Sequence, residues 1–408
     1  MTVQYKKLGN YIQTVNVRNK NLITEDLRGL SMSKEFRKST SNIVGTDLSK
    51  YKLVYKNQFA CDFMSVIRVH KLPVVLHWED NPIIVSPAYT VFKVVDTDIL
   101  NPEYLMMWFR RPEFDRYADF RCDSAIRGGF KWDELCEVEL PIPSIEKQRE
   151  IVNEYNTVTK RIKLNEQINQ KLEETAQALY KHWFVDFEFP NEEGKPYKSS
   201  GGKMVYNEEL DKEIPVGWGA GKLDEFVRLS QGLVINAKTR HLVVDKGIPL
   251  LKITDLFNDT ASMFIDKDKV NVKNIARRED LIYTRTGQVG YIFRNKVGVV
   301  YNNCFKIIPI ENKVSKEILF WHFKNKNIRN LMLELASGSA QADLTHSAFF
   351  SVSMIEPDKS IQNRFDNISK VIVIAIYNNE ELNKSLIKLK DLLLSKMIKV
   401  EQEKEVVI

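Results

Sequence analysis

Residues capable of phosphate or methyl chemistry occur in this sequence, but not at the spacing that such chemistry needs. A triphosphate-binding loop requires glycines followed by Lys and Ser/Thr, and neither Gly202-Lys203 nor Gly221-Lys222 supplies that order. A metal-dependent nuclease needs paired acids and a lysine after a Pro-Asp dipeptide, yet Pro357-Asp358 follows the Glu-x-Lys triplets at Glu193 and Glu311. The Asn-Pro-Pro-aromatic turn of an amino-methyltransferase is also missing. The sequence therefore argues against nucleotide hydrolysis, DNA cleavage and methyl transfer by this chain.

The histidines and cysteines form no recognisable ligand set either. The six histidines show no HxxxH spacing for zinc, and the four cysteines never form CxxC. We therefore predict no catalytic residue and no metal site. Widely spaced cysteines without a disulfide pattern are typical of a reducing cytoplasm, which is the location we expect.

Length and composition set the broad class. A chain of 408 residues has room for two or three domains, and 43% hydrophobic with 28% charged residues is typical of a folded protein. Sixty Lys and Arg against 54 Asp and Glu give a net charge of +6, which permits a polyanionic partner without requiring one. The polar segment Met1 to Asn10 and the short apolar run Val371 to Ile376 predict a soluble protein without a membrane segment.

The sequence contains an internal repeat with an offset of 214 residues. From Gln148 to Leu179, eight of 32 positions are identical to the residues 214 positions later, against about two expected by chance. The offset extends upstream, where Leu105 to Phe109 matches Leu319 to Phe323. Similar amphipathic helices would explain matching leucines but not the matching asparagines. The unit of the repeat is a globular domain followed by a long helix.

Each domain has the pattern of a mixed α and β fold. Short apolar runs bounded by turn residues predict strands in both copies, and a helix predicted at about Pro102 to Asp119 recurs at Lys316 to Ala336. Residues 191–218 are rich in Gly, Ser, Lys, Glu and Pro, which predicts a flexible linker between the copies.

The two long helices carry a heptad-like pattern, in which a helix buries a narrow stripe against another helix. In the second copy the predicted seam is Phe365, Ile368, Ile372, Ala375, Asn379, Leu382, Leu386, Leu389 and Leu393. The less regular first copy has Ile151, Val158, Asn165, Ile168, Leu172 and Leu179. Two ordinary core helices of a larger domain are the alternative, against which their length and polar surface argue.

Asn165 and Asn379 occupy equivalent places near the middle of these helices. If the helices pack antiparallel about an approximate twofold axis, both side chains lie near that axis. We hypothesise that they bond one another and fix the helix register, because a slip would leave buried amides unsatisfied. An exposed position for each asparagine is the alternative.

Several segments resemble those of a known family. They open and close the first long helix, open the second domain, and lie within each domain: Leu140 to Gln148, Leu179 to Phe187, Ile214 to Trp218, Val85 to Tyr89 and Thr284 to Gly290. Together they resemble the specificity subunits of type I restriction-modification systems, over essentially the whole chain. The second helix departs from the family pattern at Glu356 to Gln362.

The repeat and the resemblance together predict an α+β protein. Two similar target recognition domains are separated by two long antiparallel spacer helices with pseudo-twofold symmetry. The expected boundaries are 1–145 for the first recognition domain, 146–187 for the central helix, 188–217 for the linker, 218–359 for the second recognition domain and 360–402 for the C-terminal helix. Because duplex DNA presents its major groove on one face about every 34 Å, such a body could engage two separated half-sites.

The resemblance implies a DNA-recognition subunit without catalytic activity. It implies that each recognition domain reads one half of a bipartite target in double-stranded DNA. It also implies two modification (methyltransferase) subunits bound through the spacer helices, with restriction subunits added to that core. S-adenosylmethionine, ATP and magnesium are then expected in the partner subunits, and no cofactor is expected in this chain.

The residues expected to contact DNA are cations and amides in loops of the two domains, since phosphates and base edges are read by such groups. They are Lys34, Arg37, Lys38, Arg127, Lys131, Lys238, Arg240, Arg285 and Gln341. An ordinary solvated role is the alternative for each of them.

Two other classes of function remain open at this point. One is a non-enzymatic scaffold whose tandem domains bind protein, and retention on DNA would argue against it. The other is a DNA-cleaving or DNA-methylating enzyme with a divergent site, which activity of the isolated chain would reveal.

Overall fold

The computed structural model of this chain describes residues 5–39, 45–122, 130–338 and 341–397. The chain forms two compact units, residues 1–164 with 382–408, and residues 165–381. Both unit boundaries fall within a long helix: α5 (Ile145–Phe184) and α11 (Lys359–Lys396) each contribute one half to each unit.

The first unit contains ten strands and four shorter helices in its described part. The strands are β1 (Tyr5–Lys7), β2 (Ile12–Val15), β3 (Arg28–Leu30), β4 (Phe36–Lys38), β5 (Lys52–Val54), β6 (Gln58–Cys61), β7 (Val74–Leu76), β8 (Ile83–Val85), β9 (Thr90–Val94) and β10 (Glu139–Pro141). The helices are α1 (Val66–Val69), α2 (Pro102–Phe109), α3 (Pro112–Phe120) and α4 (Trp132–Cys136).

The second unit repeats this plan with more strands. Its strands are β11 (Met204–Asn207), β12 (Lys212–Pro215), β13 (Gly219–Lys222), β14 (Val227–Gln231), β15 (Val243–Val244), β16 (Ile248–Leu251), β17 (Phe264–Ile265), β18 (Ile275–Ala276), β19 (Leu281–Thr284), β20 (Ile292–Phe293), β21 (Gly298–Val300), β22 (Cys304–Pro309) and β23 (Ser353–Glu356). Its shorter helices are α6 (Leu223–Phe226), α7 (Ile253–Asn258), α8 (Lys316–Lys324), α9 (Lys326–Leu335) and α10 (His346–Phe350).

The two units share one sheet topology. The first has a four-stranded antiparallel sheet in the order β2-β9-β6-β7, and the second has the same arrangement in the order β14-β22-β19-β20. An additional pair, β1 with β10 or β13 with β23, precedes the long helix in each unit. The duplicated sequence therefore folds as a duplicated domain.

The units differ in the strands added to this shared sheet. The first unit adds the pairs β3·β4 and β5·β8, whereas the second adds a five-stranded sheet in the order β15-β17-β16-β21-β18. These added strands pack in smaller apolar clusters apart from the main core of each unit, and the cluster in the first unit also includes Ala60, Val75 and Val91 of the shared sheet. They form the part of each domain in which the two copies are least alike.

The helix predicted at Pro102 to Asp119 is two helices, and so is its repeat. Pro112 begins α3, and the residue before a proline avoids helical angles, so Arg111 adopts an extended conformation and separates α3 from α2. In the second copy Asn325 takes this role, because its side chain accepts a hydrogen bond from the Asn327 N–H at the start of α9.

The segment predicted as a flexible linker is folded onto the second unit. Phe189 stacks on Trp218 with ring centroids 4.8 Å apart and on Tyr197 at 4.6 Å. Strands β11 and β12 pair as an antiparallel hairpin, which buries Ile214. Aromatic burial overrides the Gly- and Ser-rich composition here.

Antiparallel packing of α5 and α11 occurs within each unit. In the first, Val152 to Ile162 of α5 share a core with Leu393 and Leu394 of α11. In the second, Ala176 to Phe184 of α5 share a core with Ile361 to Val373 of α11. Early residues of one helix thus meet late residues of the other, as predicted.

The predicted seam of α11 consists of two columns of residues along the helix. One column is buried or half-buried, as predicted, whereas the other is mostly exposed. Ile368, Leu382 and Leu389 are 42%, 39% and 43% exposed. Two residues one position later, Ser369 and Asn383, are buried instead. Ser369 faces α8, where it donates to Glu317, and Asn383 faces α5, where it donates to the Ile162 carbonyl at 3.3 Å. These hydrogen bonds allow both polar residues to be buried.

A buried glutamine joins each long helix to its domain. Gln148 accepts a hydrogen bond from Asn101 N at 2.8 Å and donates to the carbonyls of Ile99 and Pro143. Gln362 accepts from Ser315 N at 3.0 Å and donates to the carbonyls of Lys313 and Pro357. Every partner recurs at the 214-residue offset, so the repeat extends to individual hydrogen bonds.

Candidate nucleic-acid interface

The hairpin β3·β4 presents two unpaired cations in the first domain. Arg37 lies opposite Gly29 and Lys38 opposite Arg28 in the antiparallel register. Asp26 engages Arg28 through two contacts of 2.6 Å, whereas Arg37 and Lys38 are exposed and make no ion pair within the described ranges. The Arg37 side chain lies over Gly29 on the neighbouring strand. Both cations are available to a phosphate backbone.

Lys34, in the turn of the same hairpin, has a different role from the one predicted. Its side chain is 4% exposed, donates to the Phe109 carbonyl, and lies 2.7 Å from Asp115 Oδ1. Burial lowers the pKa of the Lys34 ammonium, opposed by the charge of Asp115. The prediction that Lys34 faces DNA is therefore wrong, because the short turn directs this side chain into the domain.

The second domain presents its cations on a tight turn that precedes β15. Asn236 N donates to Thr239 Oγ1 at 2.9 Å, and Asn236 Oδ1 accepts from Lys238 N at 2.9 Å. These bonds fix the backbone while Lys238 and Arg240 remain exposed. Like Arg37 and Lys38, they belong to the strand-rich region added to the shared sheet.

Arg285 lies in a polar cluster at the end of β19. Its guanidinium donates to the two carboxylate oxygens of Asp343 at 2.9 and 2.6 Å and to Gln231 Oε1 at 3.2 Å. A hydrogen bond from Thr286, followed by the interactions with Arg285, lowers the pKa of Asp343. Arg285 thus has protein partners that the sequence did not reveal, and DNA contact by this residue stays a prediction.

The remaining predicted DNA contacts are distributed as follows. Gln341 is exposed next to Gly287, which has a φ of 78° and so adopts a conformation that favours glycine. Lys131 is exposed at the start of α4. Arg127, the counterpart of Gln341 at the 214-residue offset, lies outside the described residues.

Asn379 of α11 has an asparagine partner on α5 that the sequence did not predict. Asn379 donates from Nδ2 to Asn169 Oδ1 at 2.8 Å, and Asn169 donates to the Ile376 carbonyl at 3.2 Å. Asn165, one helical turn before Asn169, is buried. The helices are thus joined by an asparagine pair, Asn169 with Asn379. A hydrogen bond between Asn165 and Asn379 stays a prediction. The identity of Asn169 with Asn383 in the repeat was a signal that could have identified Asn169.

Two negative findings apply to the described residues. No group of three or more His, Cys, Asp or Glu side chains is placed to hold a metal ion. None of the helices combines the length and the apolar composition that crossing a membrane would take.

His322 of α8 is a buried histidine that the sequence did not single out. Its Nδ1 lies 3.0 Å from the hydroxyl of Tyr180 on α5. Burial, with a smaller contribution from Lys212, lowers the pKa of His322 to about 4. The unfolded chain titrates this group at about 6.5, so between these values the unfolded state binds more protons. Its contribution to stability is therefore present above pH 6.5 and is lost as the pH falls towards 4.

We expect His322→Gln, which cannot titrate, to flatten this acid dependence. The free energy of unfolding of the second unit is measured by hydrogen exchange in the full chain, between pH 7 and 4.5. His182→Gln, at an exposed position on α5, is the matched control. An unchanged pH dependence in His322→Gln would contradict the assignment.

Comparison with known proteins identifies a family of similar chains. Residues 215–388 match the model described as a type I restriction modification DNA specificity domain. The chain is 26% identical to the type I restriction enzyme MjaIX specificity subunit of Methanocaldococcus jannaschii over 332 residues, 78% of this chain and 72% of that protein. The second half of this chain therefore carries the sequence of a type I restriction modification DNA specificity domain, and most of the chain is similar to the specificity subunits of type I restriction enzymes.

Other members extend the likeness along the chain. The HindI specificity subunit of Haemophilus influenzae is 24% identical over 374 residues, 76% of this chain and 80% of that protein. The crystal structure of the type I restriction-modification system S subunit from M. genitalium shares the fold, with a TM-score of 0.59 at 12% identity over 98% of this chain and 96% of that one. Specificity subunits are the non-catalytic recognition components of these systems.

Proposed function

We propose that this specificity subunit selects the DNA target of a type I complex by reading two half-sites, one with each recognition domain. The observation that carries the proposal is that one domain plan occurs twice, each copy joined by a buried glutamine to a long helix. Two similar readers on two antiparallel helices suit a target made of two separated parts. The helices would then set the number of base pairs between the half-sites.

The exposed cations support DNA as the ligand. Arg37 and Lys38 in the first domain, and Lys238 and Arg240 in the second, lie in the regions where the two domains differ most. Cations in these regions would supply phosphate contacts, while the neighbouring variable loops would give each domain its own half-site. A bipartite, asymmetric target follows from two such unlike regions.

Partner subunits fit the exposed apolar faces of α11. Ile368, Val371 and Ile374 are exposed in the second unit, and Leu382, Leu389 and Leu392 in the first. In the first unit a groove of about 900 Å³ lies between α5 and α11, lined by Val158, Leu389 and Leu393 with Glu146, Glu150 and Lys396 at its rim. These faces support binding of two modification subunits through the helices, with restriction subunits joining that core. S-adenosylmethionine, ATP and magnesium would bind those partners.

The test is a domain exchange read by methylome sequencing. Residues 1–145 are replaced by those of a relative with a different target, and the chain is expressed with its modification subunits. We expect one half-site to change while the other half-site and the gap are retained. A change in both half-sites would contradict modular reading, and the absence of sequence-specific methylation with the native chain would favour a protein-binding scaffold.

We expect Arg37→Ala and Lys38→Ala to weaken DNA binding by the assembled complex. Each lost phosphate contact should reduce the slope of log K against log salt by about 0.9. Binding is measured on a duplex with the native target at several salt concentrations. Lys195→Ala is the control, because Lys195 is an exposed lysine paired with Glu193 in a region without predicted DNA contacts. Unchanged affinity and slope in both variants would remove this hairpin from the interface.

A further inference from the structure

A buried polar network joins the second recognition domain to α11. Arg294, directly after β20, forms two contacts of 2.9 and 3.0 Å with the carboxylate of Glu317 on α8. Ser369 of α11 donates to Glu317 Oε2 at 2.8 Å and accepts from Trp321 Nε1 at 2.7 Å. The network therefore connects the sheet, a helix of the domain and the long helix.

Because this network is buried, it lowers stability unless each charged and polar group keeps its hydrogen-bond partner. The side chains of Arg294 and Glu317 are 14% and 5% exposed. A buried ion pair adds little net stability compared with apolar packing, yet breaking one partner contact leaves an uncompensated buried charge. Such a network discriminates between orientations more sharply than an apolar contact, because hydrogen bonds depend on distance and angle.

The first recognition domain is joined to its helix in a different way. Tyr155 and Met107, the residues 214 positions before Ser369 and Trp321, are buried in the apolar core. Glu103, the counterpart of Glu317, is exposed and accepts a hydrogen bond from Asn156 at 2.6 Å. The first domain therefore has apolar packing in place of Ser369 and Trp321, and an exposed hydrogen bond in place of the buried carboxylate contacts of Glu317.

We propose that Ser369, Glu317 and Trp321 are positioning residues that fix the angle of the second recognition domain on α11, and thereby restrict the gap between half-sites. The proposal rests on the function proposed above. One extra base pair moves a half-site by about 3.4 Å and rotates it by roughly 35° about the duplex axis. A domain that follows this rotation must turn on its helix, which the network resists through its buried hydrogen bonds.

The experiment measures gap selection by the complete modification complex. A plasmid library carries both native half-sites separated by the native gap, one base pair fewer or one more, and methylation of each class is counted by sequencing. The variants are Ser369→Ala, which removes the central hydroxyl, and Trp321→Phe, which removes only the indole donor. Ser369→Thr retains a hydroxyl, and Tyr155→Phe is the matched control at the equivalent place of the first domain.

We expect Ser369→Ala and Trp321→Phe to raise methylation of the altered gaps, relative to the native gap, by about fivefold, the factor that one hydrogen bond is worth. Ser369→Thr and Tyr155→Phe should keep the native ratio. A uniform loss of methylation across all gaps, with an unchanged ratio, would overturn the proposal and leave the network a merely structural role. A native chain without gap preference would contradict the proposed function itself, which separates the two failures.

Discussion

Lys34→Ala is expected to lower the free energy of unfolding of the first unit by about 3–5 kcal/mol, the range for breaking one side of a buried ion pair. Removal of the ammonium leaves Asp115 with a charge that is largely buried and deprives the Phe109 carbonyl of a donor. The remaining hydrogen bond from Leu72 N, at 3.2 Å, cannot replace that charge. The loss is measured by chemical denaturation of the full chain.

The neighbouring cations provide the control for this prediction. Arg37→Ala and Lys38→Ala change exposed side chains in the same hairpin and should alter the unfolding free energy by no more than about 0.5 kcal/mol. The hairpin would thus contain one cation that is needed for folding, Lys34, and two that are needed for DNA binding, Arg37 and Lys38. Equal stability of Lys34→Ala and Arg37→Ala would show that the buried pair contributes nothing.

Replacement of either buried glutamine should lower the free energy of unfolding nearly as much as Lys34→Ala. Gln148→Ala removes three hydrogen bonds and leaves the N–H of Asn101 and two carbonyls without that partner. At about 1 kcal/mol for each bond, with a further penalty for unsatisfied buried groups, we expect a loss of about 3 kcal/mol or more. Gln362→Ala should have a similar effect on the second unit, because its three bonds are equivalent.

Hydrogen exchange distinguishes this prediction from general destabilisation. Gln148→Ala should increase exchange where α5 begins and leave the second unit unchanged, and Gln362→Ala should do the reverse at α11. Gln170→Ala on α5, where the exposed side chain donates to Glu174, serves as the matched control. Loss of protection in both units from one substitution would contradict a local role for the glutamines.

The architecture could be predicted from the sequence, because the duplication leaves identical residues at one fixed offset along the chain. Gln148 and Gln362, and the matched asparagines, marked the two copies before any packing was considered. The starts of the long helices were also accessible, since α5 and α11 begin within one residue of the predicted boundaries at 146 and 360. The break before Pro112 was missed, because a single helix was predicted there although the residue before a proline avoids helical angles.

The candidate interface could be predicted from the sequence only in part. Arg37, Lys38, Lys238 and Arg240 are exposed as expected, because each lies in a hairpin or turn whose backbone is held by its own hydrogen bonds. Lys34 differs from Arg37 by only three positions, yet it faces inward. Composition cannot separate such neighbours, since the direction of a side chain in a turn depends on the backbone angles.

The amino-acid sequence by itself determined the duplication, the long helices and the resemblance to a family, because these depend on residue identity and spacing along the chain. Tertiary structure alone decided which column of α11 is buried, that Asn169 contacts Asn379, and which cations form ion pairs with buried acids. These choices depend on contacts between residues distant in sequence. A polar residue such as Ser369 can occupy a buried position only when a partner from another element satisfies it.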